Sequence, residues 1–349
     1  MHVPDGFLDA TTSIATGGVA AGAVGLSLQK ANAELRESGP ALAGLTSVFV
    51  FAVQMVNFPV GAGTSGHLMG GALAAALVGP WTAVLVMAVV MIVQALFFAD
   101  GGLTALGTNI SLIAIVTVLA GYLVTRGLLM LLPKRPGSIV PAAGVAAFVS
   151  VPLAALAFVG LYAVGGAVPI PLGSLTAAMV GWHTLIGIGE ALITAAVVGA
   201  VVATRPDLVY AVRHLRRDLV LVDADGRTTT VTPDAPVQVQ PGRRPLAIGL
   251  AVSLLIAGVV SLFASARPDG LESVAQGLGF AHAANDSAVA SSPLAGYGFS
   301  LAGNGLVAGA LAGLIGVLIT GLVALALTAL ARRGRAEAKC QPEPARSDA

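Results

Sequence analysis

Apolar residues fall in long runs broken by short polar stretches. Nine runs stand out, at about 11–30, 41–60, 66–80, 81–99, 105–132, 138–166, 174–203, 246–265 and 304–331. Most approach the roughly 20 residues that a helix needs to cross a bilayer. The pattern predicts an all-α integral membrane protein of about nine transmembrane helices. The third run is short. It opens at Gly66-His67 and meets the fourth at Gly79-Pro80-Trp81, so these two are expected to form a tight hairpin.

The stretch 204–244 breaks the pattern with a polar insert. Within it, Val220-Leu221-Val222 and Thr229-Thr230-Val231 flank Asp225-Gly226, a dipeptide suited to a two-residue hairpin turn. A small cytoplasmic β-hairpin is expected there. The insert divides the chain into a seven-helix front part (1–204), a polar linker (205–244) and a two-helix back part (245–335). The polar tail, 336–349, is expected to be disordered.

Composition agrees with the runs. Of 349 residues, 56% are hydrophobic and 10% charged, and mean hydropathy is +0.90. A soluble chain would carry about a quarter charged residues. The net charge of +1 gives no basic balance for nucleic acid. The single Cys340 excludes an internal disulfide framework and a thiolate cage. Basic residues set an expected orientation. Lys30, Arg36, Arg126, Lys134, Arg135, Arg205, Arg213, Arg216, Arg217, Arg243, Arg244, Arg332, Arg333 and Arg335 all fall on one side if the N-terminus is outside and the C-terminus cytoplasmic. Arg267 alone falls outside.

That orientation directs attention to the first residues, Met1-His2-Val3-Pro4-Asp5-Gly6-Phe7-Leu8. A histidine in second position can present three nitrogens from one place: the Met1 amine, the Met1–His2 amide once deprotonated, and His2 Nδ1. Closed on one cation, they form a five- and a six-membered chelate ring and leave one in-plane position open. Such a field suits Ni(II) or Cu(II), and Co(II) can accept it. Each ligand must lose its proton, so affinity should rise with pH. Many chains begin Met-His without binding anything there. Here Pro4 and Asp5-Gly6 are turn formers that fix the backbone just beyond the chelate. No basic region precedes the first apolar run, so the start does not read as a cleaved signal peptide.

Polar residues inside the runs cluster at their expected outer ends: Gln54-Met55-Val56-Asn57-Phe58-Pro59, Gly61-Ala62-Gly63-Thr64-Ser65-Gly66-His67, and Gln94 through Asp100 into Gly101-Gly102 and Asn109. Polar groups at membrane depth are costly unless they are paired or line a cavity. His67 is the candidate fourth ligand, or else a capping or interfacial histidine. As a ligand it would need an acceptor to fix its tautomer. Asp5, Asn57, Asp100 and Asn109 are the candidates, and His183 is a further residue to consider around the site. His183 and Glu190 lie two turns apart on one helix face, roughly 10 Å in rise. An interhelical polar clamp is the plainer role for each. Gly18 and Gly22 make a GxxxG pair in the first run, for close helix packing inside the protein or against another subunit.

Together, Met1–Leu8, Asn57-Phe58-Pro59 with Gly63-Thr64-Ser65-Gly66-His67-Leu68, Phe98 through Gly107, and His183 through Leu192 resemble the CbiM/NikM family. These are substrate-capture components of energy-coupling-factor transporters for cobalt and nickel. The resemblance covers 1–204. Arg267-Pro268-Asp269-Gly270-Leu271-Glu272 and Ser292-Pro293-Leu294-Ala295-Gly296-Tyr297 resemble the PDGLE domain, which serves as a small two-span partner. The resemblance implies a metal site made of the Met1 amine, the His2 amide and imidazole, and the His67 imidazole. It implies a transported Ni(II) or Co(II) ion as substrate and no catalytic cofactor. It also implies a transmembrane coupling subunit and two ATPase subunits as partners, alongside membrane lipid. No Gly-x-x-x-x-Gly-Lys-Ser/Thr phosphate loop occurs, so ATP hydrolysis is expected of a partner. A membrane metallohydrolase using His183 and Glu190 is the alternative of another class, but it lacks a third close ligand. A ligand-free scaffold is a third reading. Between the ions, nickel is slightly favoured over a cobalt importer serving cobalamin synthesis.

Overall fold

The computed structural model describes residues 1–215, 219–222, 228–231, 242–300, 302 and 305–333. The expected disordered tail and the Asp225-Gly226 turn lie outside the described residues.

All nine apolar runs contain helix. In chain order these are α1 (Ala10–Ser38), α2 (Pro40–Gln54), α3 (Gly71–Val78), α4 (Pro80–Phe97), a continuous helix made of α5 (Leu106–Asn109), a π-helical stretch (Ile110–Val116) and α6 (Thr117–Leu131), then α7 (Ile139–Gly165), α8 (Leu172–Thr204) and α9 (Arg243–Gly258). A short amphipathic α10 (Gly270–Leu278) follows, and α11 (Gly305–Arg333) ends the described chain. Seven of these helical segments are long and apolar enough to cross a membrane. The expectation of about nine full crossings needs two qualifications. α2 has 15 residues, and α3 only eight. At 1.5 Å per residue, α3 rises about 12 Å, less than half the hydrocarbon core.

The reason for the short α3 lies in residues 58–70. The glycine-rich stretch, expected to be a loop, forms a two-stranded hairpin, β1 (Phe58–Gly61) with β2 (Thr64–Gly66). The chain then runs irregularly through His67-Leu68-Met69 before turning helical at Gly71. Gly70 makes that turn at φ +85°, where a Cβ would also stand 2.8 Å from Val50 Cγ1. Irregular backbone at membrane depth survives only where other protein groups satisfy it. Glu190 of α8 does this, accepting from the N–H groups of Met69 at 2.5 Å and Gly70 at 2.8 Å. Glu34 of α1 serves α4 in the same way, accepting from Trp81 N at 3.3 Å and Thr82 N at 2.7 Å. Two buried glutamates thus cap helices other than their own, each accepting from two backbone N–H groups at or just before a helix start, where donors lack partners within the helix.

α4 is the axis of the bundle. Most of its residues are buried, and it packs against α1, α2, α3 and α11. α9 buries only Ser253, Ala257 and Gly258, and only a minority of the residues of α11 are buried; both lean on α2 and leave apolar faces outward. In the polar insert, β3 (Leu219–Val222) pairs antiparallel with β4 (Thr228–Val231), Leu219 opposite Val231 and Val222 opposite Thr228. That is the hairpin centred on residue 225 that the sequence predicts. Just before it, residues 206–215 fold back on the front part. Arg213 pairs with Glu37 at 2.9 Å and lies over the Tyr210 ring.

Candidate metal centre

Residues 1–8 run as an extended strap into the end of the bundle, and named bonds fix each step. Val3 N donates to Asn109 Oδ1 at 2.7 Å, while Asn109 Nδ2 and Gly102 N donate to Val3 O at 3.0 and 2.9 Å. The Asp5 carboxylate accepts from Leu103 N at 3.1 Å, Thr104 N at 2.8 Å and the Thr104 hydroxyl at 2.5 Å. A Cβ on Gly102 would lie 2.2 Å from Asp5 Oδ1, so only glycine admits the strap there. Phe7 O accepts from Ala167 N at 3.0 Å, and Asp9 caps α1 through Thr12 N at 2.7 Å.

The strap delivers the Met1 amine into a buried position 2.6 Å from His67 Nε2. His67 Nδ1 donates to Leu68 O at 2.9 Å, which leaves Nε2 as the lone pair that meets the amine. The His2 ring stacks on the His67 ring at 4.9 Å between centroids. His2 Nε2 lies 3.2 Å from Gln94 Oε1, and His2 Nδ1 lies 3.2 Å from Asp100 Oδ1. Tyr297 donates to the other Asp100 oxygen at 2.5 Å. Asp269 Oδ2 stands 3.0 Å from the amine and 3.8 Å from His67 Nε2.

Electrostatics favour neutral imidazoles. Burial pushes His67 well below the ordinary histidine value, and the Met1 ammonium and His2 push it further, against the pull of Asp269. Burial also lowers His2, against Asp100. For Asp269, burial alone would raise the carboxyl, but the Met1 ammonium and His67 outweigh it and hold it well below the usual carboxylate range. Among the described residues, no three His, Cys, Asp or Glu side chains gather to hold a metal.

Met1, His2 and His67 come together, and Asp100 joins them. The other candidate partners go elsewhere. None of Asp5, Asn57, Asp100 or Asn109 accepts from His67, because the carbonyl of its own neighbour Leu68 does so. Asp5 caps the loop before α5, Asn109 holds the Val3 backbone, and Asn57 O accepts from Ser265 N at 2.8 Å. His183 donates Nδ1 to Met179 O at 2.7 Å and faces Gly270. Glu190 is committed to α3, which removes the paired acid of the hydrolase alternative. Gln94 and Asp269 are the contacts that sequence reasoning missed. Gln94 was visible as a polar residue ending an apolar run. Asp269 was visible as an N-cap before Glu272, a capping box that the fold forms.

Seven membrane-length helical segments among the described residues, α4 buried at their centre, make a multi-pass membrane protein. Residues 2–208 match the CbiM family, described as a cobalt uptake substrate-specific transmembrane region, and residues 243–333 match the PDGLE domain. The chain belongs to the CbiM family of cobalt and nickel transport proteins, fused to a PDGLE domain. A metal transport protein of Haloquadratum walsbyi is 40% identical over 210 residues, which are 60% of this chain and 94% of that one. The fused nickel transport protein NikMN of Archaeoglobus fulgidus is 39% identical over 211 residues, 60% of this chain and 68% of that one. A crystal structure of a truncated transition metal transporter superposes with TM-score 0.52 at 30% identity, covering 58% of this chain and 99% of that one. These relatives are transporters, not enzymes.

Proposed function

We propose that this chain is the substrate-capture subunit of an ATP-driven energy-coupling-factor importer, and that it binds its ion in a planar four-nitrogen site. The donors are the Met1 amine, the His2 amide, His2 Nδ1 and His67 Nε2. One observation carries the reading. Met1 N and His67 Nε2, 66 residues apart, face each other at 2.6 Å. At metal–nitrogen bonds of about 2.0 Å, cis ligands of a planar field stand about 2.8 Å apart. The two nitrogens therefore sit near cis spacing before any ion arrives.

Each neighbouring residue has a task in this reading. Leu68 O fixes the His67 tautomer, and Gln94 Oε1 takes the Nε2–H of His2 and so frees Nδ1. Nδ1 turns from Asp100 to the ion. Asn109 and Asp5 hold the strap in register. The N-terminus faces outside and the C-terminus the cytoplasm of a cell membrane. A transmembrane coupling subunit and two ATPase subunits complete the importer. Nickel is favoured over cobalt for two reasons. A planar field with an anionic amide suits low-spin Ni(II), and relatives that share the fusion are named for nickel.

The test is binding of Ni(II) and Co(II), separately, to the purified chain, beside a variant with Ala inserted between Met1 and His2 and a His67→Ala control. Tight binding of one ion that both variants lose supports the site and names the substrate. An insertion variant that binds like the native chain would overturn it.

A further inference from the structure

The PDGLE segment places a carboxylate among the nitrogen donors. Asp269 Oδ2 is 3.0 Å from the Met1 amine and 3.8 Å from His67 Nε2, so it stands beside the position an ion bound to both would take. The other oxygen is not free to wander. Asp269 Oδ1 accepts from Glu272 N at 2.8 Å, and Glu272 Oε2 accepts in return from Asp269 N at 3.0 Å. This capping box fixes the side chain at the start of α10, and here it aims Oδ2 at the amine.

The opposite side of Asp269 is open. A cavity of about 380 Å³ runs between the N-terminal strap and the PDGLE segment, lined by His2, Asp100, Asp269, Glu272 and Asn285 among others. The Asp269 side chain is 12% exposed, whereas Met1 is 3% exposed. An ion coming through this cavity reaches the carboxylate before it reaches the amine. Hydrated divalent ions accept oxygen ligands readily and exchange them one at a time.

We infer that Asp269 is the first protein ligand of the incoming ion, handing it from the cavity to the Met1, His2 and His67 nitrogens. The inference rests on the nitrogen site proposed above. Oδ2 takes the ion as it lets go of the Met1 ammonium; that ammonium then loses its proton to bulk solvent and becomes the next ligand, and the His2 amide gives up a second proton to solvent as it binds. The carboxylate also balances charge throughout. It faces one ammonium beforehand, and afterwards the single net positive charge of a dication bound with an amide anion. A fused PDGLE segment thus contributes a ligand to capture itself.

The experiment follows nickel alone loading into the full chain in lipid nanodiscs, by stopped-flow absorbance of the nickel–nitrogen chromophore. Asp269→Asn keeps an N-cap oxygen and removes the charge. Asp269→Ser is a second capping replacement, and the unfolding temperature of each variant reports that the fold is intact. Loading is expected to slow by about tenfold or more, with the final nickel occupancy preserved. Glu272→Gln removes a charge from the same cavity without touching the nitrogens, and it should slow loading much less. Unchanged or faster loading in both Asp269 variants would overturn the proposal and make the carboxylate a plug. Equal slowing by Glu272→Gln would overturn it in favour of a diffuse field effect. Nickel retention after insertion of Ala between Met1 and His2 would instead refute the nitrogen site itself.

Discussion

His67 and His183 begin from the same local chemistry and end differently. Both are buried, at 5% and 0% exposure. Both give Nδ1–H to a nearby backbone carbonyl, Leu68 O and Met179 O, and so turn a bare Nε2 inward. His67 Nε2 meets the Met1 amine at 2.6 Å, while His183 Nε2 has no hydrogen-bond partner among the described residues. The difference lies in what faces each ring. His67 opens an irregular stretch that another segment can reach end-on. His183 sits mid-helix against Gly270, where an added Cβ would stand 3.1 Å from Cε1 and 3.3 Å from Nε2. Locking a tautomer with a carbonyl is a local act. A ligand role needs a second donor delivered from elsewhere in the chain.

The sharpest way to break the comparison is to remove each ring. His67→Ala removes a direct ligand and should weaken Ni(II) binding by more than the roughly 100-fold that loss of an outer partner can cost. Titration calorimetry on the purified chain checks it. Equal binding by His67→Ala and the native protein would make the 2.6 Å contact an N-terminal anchor and nothing more.

Gln94→Leu should come next, with a loss of about 10- to 100-fold. It leaves His2 in place but takes away the acceptor at 3.2 Å that frees Nδ1. The check is whether added imidazole or a shift in pH restores nothing while His67 remains intact. A Gln94→Leu protein with native affinity would mean that the His2 tautomer does not depend on Gln94.

Glu190 tests the helix shared with His183. Glu190→Ala leaves the Met69 and Gly70 N–H groups buried without an acceptor, at about 1–3 kcal/mol each. Chemical unfolding should show that loss, and Glu190→Gln, which keeps one carbonyl acceptor, should recover part of it. Native stability in Glu190→Ala would mean that the start of α3 finds another cap. Acid is a gentler probe. Burial, then the Met1 ammonium and His2, hold His67 well below the ordinary histidine value, so it is neutral at pH 7. A histidine with a lowered folded value binds fewer protons folded than unfolded, so stability should fall as pH drops below about 6.5. An NMR titration of the metal-free protein that placed the His67 midpoint above 6.5 would contradict this.

The sequence carried the periodic and the local features. Nine apolar runs give nine helical segments, the stretches around 220–222 and 229–231 pair as strands, and Gly79-Pro80 marks the tight turn between α3 and α4. It could not say how much of the 66–80 run is helix, because a short apolar run reads alike as helix or extended chain. Gly70 in the left-handed region and a distant Glu190 decide that. The side-chain candidates for the His67 acceptor are all bypassed by a backbone carbonyl one residue away, which polar patterning in a sequence does not mark. The Asp269 capping box is legible from Asp269-x-x-Glu272, but its contact with Met1 crosses 268 residues and depends on how α10 docks on α8 and β2. Interactions set by spacing along the chain can be read off. Those set by docking wait for the fold.

The smallest expected effect is the one on which the comparison turns. His183→Leu replaces a buried ring whose Nε2 has no described partner with an apolar side chain. Removing an unsatisfied buried acceptor is near neutral or stabilising, by up to about 1 kcal/mol. Ni(II) affinity should stay within about twofold, since an unlinked change leaves binding free energy within a few tenths of a kcal/mol. Calorimetry and thermal unfolding on the same preparation read both quantities. If His183→Leu lost nickel as His67→Ala is expected to, the bare Nε2 would be a ligand in waiting. The ion's route would then extend past Gly270 into the α8 face that also carries Glu190. If it held nickel and gained stability, tautomer locking alone would be shown not to make a ligand, and the Met1 amine would be what separates the two histidines.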